Sequence, residues 1–424
     1  MTTIFALSSG APPAGIAIIR ISGLQAGEVL TALAGTLPEP RRATMRALRD
    51  ADGDLLDRAL VLWMPGPRTV TGEHLAELHL HGGRAIVDAV EAALAAMPQL
   101  RRAEPGEFTR RAFANGRLDL SEAEGLADLL QAETELQRRA ALALAEGGLS
   151  RQVEGWLERL LILSAQVEAV LDFEDEDDVS ALPDTFDGEL STLVRELREW
   201  ADAPHAERLR DGYRVVLAGP PNAGKSTLFN ALVEDEAAIT SPIAGTTRDL
   251  IERSVAIEGV PLTFVDTAGL HEASDDAIER QGMERANSAL ESADLVLWLG
   301  KPELAWGDAI KVATMSDRGD FRRHGDFDYE VSALSGDGVG ALKQAILQRA
   351  RASFGGGRRV ALNRRQREFV GTAAAALASV ERAQDPLITA EKLRQARLAF
   401  DALTGRASTE DMLDALFGRF CIGK

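Results

Sequence analysis

Val215-Val-Leu-Ala-Gly-Pro-Pro-Asn-Ala-Gly-Lys-Ser-Thr-Leu228 opens on an apolar, β-branched run, crosses a glycine-bounded loop and enters a helix-forming stretch. It matches G-x-x-x-x-G-K-[ST], with Gly219, Gly224, Lys225 and Ser226 in the defining places. The residue types follow from the chemistry of an anion. Glycines allow successive backbone N–H groups to turn toward one point, and the N-terminus of the following helix adds partial positive charge. Lys225 is placed to reach the β- and γ-phosphates of a nucleotide, and the Ser226 hydroxyl to ligate Mg²⁺. Strand, loop and helix in that order predict a nucleotide-binding α/β domain.

From Tyr213 to about Ala350, short apolar runs alternate with amphipathic stretches, which predicts βαβ units on a mainly parallel sheet. Three further motifs follow the first in order. Ile243-Ala-Gly-Thr-Thr-Arg-Asp249 offers adjacent threonines, one of which can ligate Mg²⁺ and sense a γ-phosphate. Phe264-Val-Asp-Thr-Ala-Gly-Leu270 ends an apolar run, with Asp266 suited to the Mg²⁺ shell and Gly269 able to offer its N–H to the γ-phosphate. Val331-Ser-Ala-Leu334 carries the Ser-Ala pair that supports a guanine base in G proteins. This order points to a GTPase. The expected nucleotide contacts are Asn222, Ala223, Gly224, Lys225, Ser226 and Thr227; Ser241, Pro242, Ile243, Ala244, Gly245, Thr246 and Thr247; Asp266, Thr267, Ala268 and Gly269; Asp317; and Ser332, Ala333 and Leu334.

Two departures stand out. Leu270 and His271 follow Asp-Thr-Ala-Gly, so no glutamine stands where Ras-type enzymes orient water; the carboxylates nearby are Glu272, Asp275, Asp276 and Glu279. The base-reading motif Asn-Lys-x-Asp is best matched by Thr314-Met-Ser-Asp317, in a stretch that is short for a G domain. Asp317 remains, and its carboxylate can accept two hydrogen bonds from the Watson–Crick edge of guanine, at about 1.5–3 kcal/mol each. Adenine opposes it with a lone pair. The expectation is a guanine preference that survives with lower affinity.

Around this domain the chain changes character. Residues 3–6, 15–22, 60–63 and 75–80 read as strands and 85–96 as a helix. From about Ser121 the pattern is helical: Trp156, Leu160, Leu163, Val167 and Val170 form one apolar stripe. Asp172-Phe-Glu-Asp-Glu-Asp-Asp178 reads as a solvated acidic turn, since the spacing and glycine of a calcium loop are missing. Phe354-Gly-Gly-Gly-Arg-Arg359 reads as a linker; helices return from Gln366, the last over Glu410–Phe420 with Ser408 and Asp411 as its cap. The boundaries fall at 1–118, 119–211, 212–352 and 353–424, with the α/β unit inserted between two stretches of one helical domain. Composition fits a soluble globular protein: 45% hydrophobic and 27% charged residues. One cysteine excludes a disulfide framework and a Cys-rich zinc module and fits a reducing cytoplasm. The N-terminus has no basic region ahead of an apolar run, and no stretch reaches the roughly 18 apolar residues of a membrane span. A net charge of −19 argues against non-specific nucleic-acid binding. The arginines at 101–102, 110–111, 117, 358–359 and 364–365 read as solvated surface groups, and His79 and His81 alternate on one strand face without a third metal ligand in sight.

The phosphate loop with Asn222, Gly-Thr-Thr-Arg-Asp, Asp-Thr-Ala-Gly-Leu, the helical surround and the terminal Cys421-Ile-Gly-Lys424 together resemble the MnmE (TrmE) family of tRNA-modification GTPases. The resemblance runs end to end and includes Arg20-Ile-Ser-Gly23, Thr71-Gly-Glu73, His81-Gly-Gly83 and Pro105-Gly-Glu-Phe-Thr-Arg-Arg-Ala112. It implies a multidomain α/β plus α architecture: a mixed N-terminal folate-binding and dimerisation domain, an all-helical domain in two segments, and an inserted Ras-like P-loop G domain. It implies a cytoplasmic homodimer that acts with an FAD-containing flavoprotein (MnmG, also called GidA). Together they would add an aminomethyl or carboxymethylaminomethyl group to C5 of the wobble uridine of tRNA, with a tetrahydrofolate derivative as one-carbon donor and GTP hydrolysis driving a conformational cycle.

By the same resemblance, potassium would replace an arginine finger at Asn222, Ser241, Ile243 and Thr246; Ser226 and Thr247 would hold magnesium; and Glu279 would orient the water. Folate contacts would fall on Arg20, Glu77, Arg117 and Lys424, with Arg117 where a lysine often stands. Cys421 has two readings: a small packed residue in a tail docked by Phe420 and Ile422, or a nucleophile toward C6 of the uridine. Two other function classes compete with the modification enzyme: a ribosome-assembly or signalling GTPase switch without one-carbon chemistry, and a degenerate nucleotide-binding scaffold. Folate binding separates the switch from the enzyme, and turnover separates the scaffold.

Overall fold

A computed structural model describes residues 2–172, 182–202, 206–234, 237–238, 251–267, 288–318, 325–354, 361–381, 385–407, 410–418 and 420–423. The chain divides into two compact units, Met1–Ala127 with Phe400–Lys424, and Asp128–Ala399. The acidic run beyond Asp172, most of the glycine-rich linker and the Ser408 cap lie outside the described residues.

The first unit is built on β1 (Thr3–Leu7), β2 (Ile16–Ser22), α1 (Ala26–Ala34), β3 (Thr44–Arg49), β4 (Leu55–Met64), β5 (Leu75–His81), α2 (Arg84–Ala95), β6 (Leu100–Arg102) and α3 (Glu107–Ala114). The strands form one sheet in the order β3-β4-β5-β2-β1-β6, antiparallel except for the β1–β6 pair. Alternation along the strands sorts the faces. Ala17, Ile19 and Ile21 of β2 and Ala76, Leu78 and Leu80 of β5 join the core with Leu30 and Leu33 of α1 and Val90 and Leu94 of α2. The opposite face carries Arg20, Glu77 and His79, and there Ile4 and Ala6 of β1 pack against Phe108 of α3. β1 is therefore buried on both faces, which is why Thr3-Ile-Phe-Ala6 is apolar without alternation.

The second unit begins within α4 (Leu120–Gln131) and continues through α5 (Glu135–Ala145), α6 (Gly148–Asp172), α7 (Phe186–Ala201) and α8 (Ala206–Asp211). The stripe expected on α6 is buried, with Trp156 edge-on to Trp200 of α7 at 5.5 Å. Next come β7 (Tyr213–Ala218), α9 (Lys225–Val233), β8 (Ala237–Ala238), β9 (Ile251–Ile257), β10 (Val260–Asp266), β11 (Leu295–Trp298), β12 (Ile310–Ala313), β13 (Tyr329–Glu330) and α10 (Val339–Ser353). The seven-stranded sheet runs β13-β12-β11-β7-β10-β9-β8, and only the β10–β9 and β8–β9 pairs are antiparallel. β7, which feeds the phosphate loop, lies at its centre between two parallel neighbours.

One face of this sheet packs on α9 and α10 through Leu228, Phe229, Leu232, Leu342, Ile346 and Ala350. The other face is thinner where β11 returns to β12. Residues 299–309 make that parallel connection with only a 3-10 turn at Pro302–Leu304, where a crossover helix is usual. Ala305 and Trp298 cover Ala218, Val296 and Ala309 there, while Leu304 and Trp306 stay exposed. This missing helix is the shortness visible in the sequence beyond Gly300.

The last helices are α11 (Arg364–Ala378), α12 (Pro386–Thr404) and α13 (Glu410–Phe417). α11 packs on α7 and starts with a capping box between Asn363 and Gln366; α5 starts with another between Thr134 and Gln137. α13 lies against α3, with Leu413, Phe417 and Phe420 in one cluster with Leu120 and Ala123. Among the described residues no helix is long and apolar enough to cross a membrane.

Candidate functional site

The phosphate loop leaves β7 at Gly219 (φ 150°) and reaches α9 through Asn222 (φ 61°) and Gly224 (φ 86°). At Gly219 a Cβ would lie 3.0 Å from the carbonyl carbon of Leu299, just after β11, so the loop passes there closely, in a backbone conformation that favours glycine. Asn222 adopts the left-handed conformation that asparagine tolerates best among side-chain-bearing residues. Lys225 is buried, and its Nζ donates to the carbonyl oxygens of Gly219 at 3.0 Å and Pro220 at 2.9 Å. Burial lowers its pKa, partly offset by the Asp266 carboxylate. An ammonium held by two carbonyls inside a glycine-bounded loop is aimed where a phosphate would sit, with Ser226 and Thr227 exposed beside it on the first turn of α9.

Asp266 ends β10 with its side chain buried, and Thr267 Oγ1 donates to the Leu217 carbonyl at 2.8 Å, which ties this strand end to β7. Ser241, Pro242, Ile243, Ala244, Gly245, Thr246, Thr247, Ala268, Gly269 and Glu279 lie outside the described residues.

In the loop after β12, Asp317 is exposed, and the hydrogen bond it accepts from the Ser332 hydroxyl holds its carboxyl below the usual aspartate value. Ser332 is fully buried and also accepts from the Ser335 N–H at 3.1 Å. Ala333 is half-buried and Leu334 exposed. Thr314 Oγ1 donates to the Ala223 carbonyl at 2.7 Å, so the loop after β12 touches the glycine-bounded loop after β7. The structure therefore brings 219–226, Asp266, Thr267, Thr314, Asp317 and Ser332 to the ends of β7, β10, β12 and β13, at the carboxyl edge of the parallel sheet where α/β folds bind ligands.

In the first unit, Arg20 and Glu77 are cross-strand partners on β2 and β5. Arg20 Nε and Nη2 both donate to Glu77 Oε1, at 3.0 and 2.9 Å, and the guanidinium lies over the Phe108 ring at 5.8 Å. His79 is 3.3 Å from the other Glu77 oxygen. His81 instead binds Asp57, through its N–H at 2.9 Å and Nδ1 at 2.8 Å. Both histidines thus have carboxylate partners, and among the described residues no group of three or more His, Cys, Asp or Glu is placed to hold a metal. Arg117 is exposed, and its Cγ lies 3.3 Å from where a Cβ on Gly72 would be. Lys424 lies outside the described residues, but Gly423 (φ 96°) is set against β1, where a Cβ would come within 2.1 Å of the Leu7 carbonyl. Leu7 pairs with Ile19, the neighbour of Arg20, so Gly423 lies against β1, the strand next to the one that carries Arg20.

Two expectations for the tail are corrected. Phe420 is buried, but Ile422 and Cys421 are exposed, so the tail is docked by Phe417 and Phe420 and not by Ile422, and Cys421 is not a packed residue.

Comparison with known proteins settles the family. The model of the MnmE helical domain matches residues 120–421, and that of the GTP-binding protein TrmE N-terminus matches 3–117. Proteins described as tRNA modification GTPase MnmE match the whole chain, from Erythrobacter litoralis at 60% identity over 100% of both chains and from Novosphingobium aromaticivorans at 57% over 100% of this chain and 99% of that one. The chain belongs to the MnmE (TrmE) family. The G domain of the T. maritima FeoB iron transporter covers 32% of this chain and 98% of its own at 22% identity, with a TM-score of 0.24, which carries no argument.

As an MnmE-family member the chain is a GTP hydrolase. The remaining motifs of the first unit have structural work. In Arg20-Ile-Ser-Gly23, Ser22 Oγ reaches Thr71 Oγ1 at 2.8 Å and Glu73 Oε2 at 2.9 Å, and Gly23 passes Thr3 where a Cβ would lie 2.6 Å from Oγ1. Gly82 lies so close to Ala14 that a Cβ would come within 2.2 Å of its carbonyl. In Pro105-Gly-Glu-Phe-Thr-Arg-Arg-Ala112, Arg111 is buried among Glu73, Glu107 and the Thr2 carbonyl, and Gly106 meets the backbone of Phe417. Arg20 apart, the roles of these motif residues are not legible in the sequence, because they find their partners only across the fold.

Proposed function

We propose that this chain is the GTP-hydrolysing, folate-binding half of a tRNA-modifying complex. With a flavoprotein partner it would add an aminomethyl or carboxymethylaminomethyl group to C5 of the wobble uridine. The observation that carries the reading is the buried Lys225 at a glycine-bounded turn, in a chain matched along its whole length by relatives described as tRNA modification GTPases. The segments 1–118, 119–211, 212–352 and 353–424 are assigned to the folate and dimerisation domain, the first helical part, the G domain and the second helical part.

Within the G domain, Lys225 turns its ammonium from the loop carbonyls to the phosphates, and Asp317 accepts from the guanine edge. Ser226 and Thr247 are assigned to magnesium, and Asn222, Ser241, Ile243 and Thr246 to potassium. The left-handed Asn222 suits an oxygen donor at the loop's turn. Bound cations would supply positive charge to oxygens that become more negative as the γ-phosphate departs. Glu279 is assigned to orient the water.

In the first unit, Arg20 and Glu77 form a charged pair on an open strand face that suits a molecule with a polar ring and a carboxylate tail, with Arg117 and Lys424 as further cations. Glu77 supplies the acceptor for ring N–H groups and Arg20 a cation. The exposure of Cys421 favours the nucleophile reading over the packed one. Homodimerisation and a cytoplasmic location complete the proposal.

The test is steady-state hydrolysis of GTP and ATP by the purified protein, in potassium against sodium chloride at equal ionic strength. GTP turnover that rises strongly in potassium is expected. Equal rates in the two salts, or no preference for GTP, would overturn the potassium and guanine assignments.

A further inference from the structure

From Gly338 to Arg367 the chain carries seven arginines and one lysine and no aspartate or glutamate, in a protein whose net charge is −19. Six of these eight cations lie on α10 and α11. The fold gathers them with α8. Arg208 Nη1 donates to Ser353 Oγ at the end of α10 at 3.3 Å, and Arg210 lines one cavity with Ala361, just ahead of α11. Arg208 and Arg349 also act together on the buried Tyr213 hydroxyl, whose pKa burial and the Asp294 charge raise and these two cations lower. Helix stability does not account for the cluster. Arg364 and Arg365 stand in the first turn of α11, which holds no acidic residue, where the helix dipole disfavours each cation by about 0.3–1 kcal/mol. The carboxylates that meet the cluster are Glu258 on Arg351, Asp308 on Arg349, Asp294 on Arg208, Asp211 on Arg210 and Glu368 on Arg364. In every one of these pairs the arginine side chain keeps at least 41% of its exposure, and surface pairs of that kind contribute about 0–1 kcal/mol.

We propose that α8, the end of α10 and the start of α11 form the surface on which this chain receives the phosphate backbone of tRNA, through Arg208, Arg349, Arg351, Arg364 and Arg365. The proposal rests on the tRNA-modification reading and names where the RNA is held. Arginine suits the task because its planar fork meets two phosphate oxygens at once and sheds its hydration more readily than an ammonium does. Exchanging a partly exposed carboxylate for a phosphate costs little, and the counterions that the RNA releases favour the exchange. The acidic remainder of the chain repels RNA, so one basic surface also fixes how the RNA lies on it. α8 leads into the start of β7, at the opposite end of that strand from Lys225, so RNA and nucleotide do not compete for one place.

Fluorescence anisotropy of a labelled, unmodified tRNA transcript with the full chain, at stepped potassium chloride concentrations, tests this. The main variant combines Arg349→Gln, Arg351→Gln, Arg364→Gln and Arg365→Gln. It should bind tRNA at least about tenfold more weakly, and its slope of log K against log salt should be shallower by about one for each arginine that holds a phosphate. GTP turnover without tRNA should stay at the parent rate. Arg364→Gln with Arg365→Gln alone should weaken binding about threefold without lowering the thermal midpoint, because the start of α11 is relieved of like charge. Arg195→Gln with Arg198→Gln, which removes two exposed arginines of α7 beside the far end of α11, should bind like the parent. The proposal is overturned if the fourfold variant keeps the parent affinity and slope, or if the α7 variant weakens binding as much as the α11 pair does. It is also overturned if the fourfold variant loses the flavoprotein while keeping tRNA, which would assign the surface to a protein. A parent chain that binds no tRNA even together with the flavoprotein would instead sink the tRNA reading itself, and this proposal with it.

Discussion

Arg111 of α3 and Glu73 of the loop before β5 form a buried ion pair, Nη1 to Oε2 at 2.9 Å, and almost nothing of the guanidinium reaches solvent. The same guanidinium donates from Nη2 to Glu107 Oε1 at 2.9 Å and to the Thr2 carbonyl at 2.8 Å, while Glu73 also accepts from Ser22. Three motifs far apart in sequence, Arg-Ile-Ser-Gly, Thr-Gly-Glu and Pro-Gly-Glu-Phe-Thr-Arg-Arg, therefore meet in one network that fixes α3 against the sheet. α3 carries Phe108, which lies under Arg20, so the network also sets the floor of the proposed folate site.

Removing the cation from this network should be costly. Arg111→Met would take from Glu73 the cation paired with it and leave Glu107 with Arg101, and breaking a buried pair from one side costs about 3–5 kcal/mol. The denaturant midpoint of the first unit should fall accordingly. A loss under about 1 kcal/mol would show that water reaches the pair and screens it as at a surface.

The same network predicts the acid limb of stability. Burial alone would raise the Glu107 pKa, but hydrogen bonds from Arg101, the Glu104 N–H and Arg111 outweigh it and hold the carboxyl below its ordinary 4.5. Asp57 is likewise held below 3.8, burial being outweighed by its bonds from His81 and the Arg58 N–H. A carboxyl depressed on folding adds stability that is complete above its unfolded value and is lost as pH falls through its folded value. Stability should therefore stay level from neutral pH to about 5 and fall below 4.5. In Arg111→Met the fall should be shallower, because Glu107 loses part of what depresses it. Urea midpoints at stepped pH would show an unchanged limb if Glu107 titrates normally.

How much of this was legible depended on the range of the interactions. The β7–α9 loop could be read because its chemistry is local: glycine spacing, Lys225 and Ser226 lie within one turn of chain. The α6 stripe could be read because helical period is local as well. β3 and β6 are short edge strands, and nothing within Thr44–Arg49 or Leu100–Arg102 distinguishes them from loop. The absent crossover helix between β11 and β12 showed only as a short stretch, and Thr314 only as a mismatch; its contact with Ala223 spans residues far apart in sequence. The capping boxes at Thr134-Glu-Leu-Gln137 and Asn363-Arg-Arg-Gln366 are local patterns too, with glutamine at the third helical position.

The C-terminal tail gives a prediction that separates the two sites. Gly423 is left-handed and in contact with the Leu7 carbonyl, so Gly423→Ala would need the tail to shift and would carry Lys424 with it. Tetrahydrofolate titrated under reducing conditions should bind at least about tenfold more weakly, the scale of one charged hydrogen bond. GTP turnover should not change. Cys421→Ser should leave both unaltered and abolish only modification of tRNA in the reconstituted complex. Unchanged folate affinity in Gly423→Ala would remove Lys424 from the folate site.

Lys225 supplies the last prediction, because its surroundings separate a binding role from a structural one. Its ammonium is buried and depends on two loop carbonyls that a phosphate would replace, so folding gains little from it. Lys225→Ala should leave the thermal midpoint nearly unchanged while GTP turnover falls at least about a hundredfold, since two charged hydrogen bonds of about 1.5–3 kcal/mol each are lost. Lys225→Arg should not rescue it: a planar, forked guanidinium cannot take the place of a compact ammonium held between the Gly219 and Pro220 carbonyls. Rates and melting curves measured on the same preparations decide the matter. Parallel losses of midpoint and turnover in Lys225→Ala would mean that the lysine builds the loop; loss of turnover alone means that it serves the phosphates.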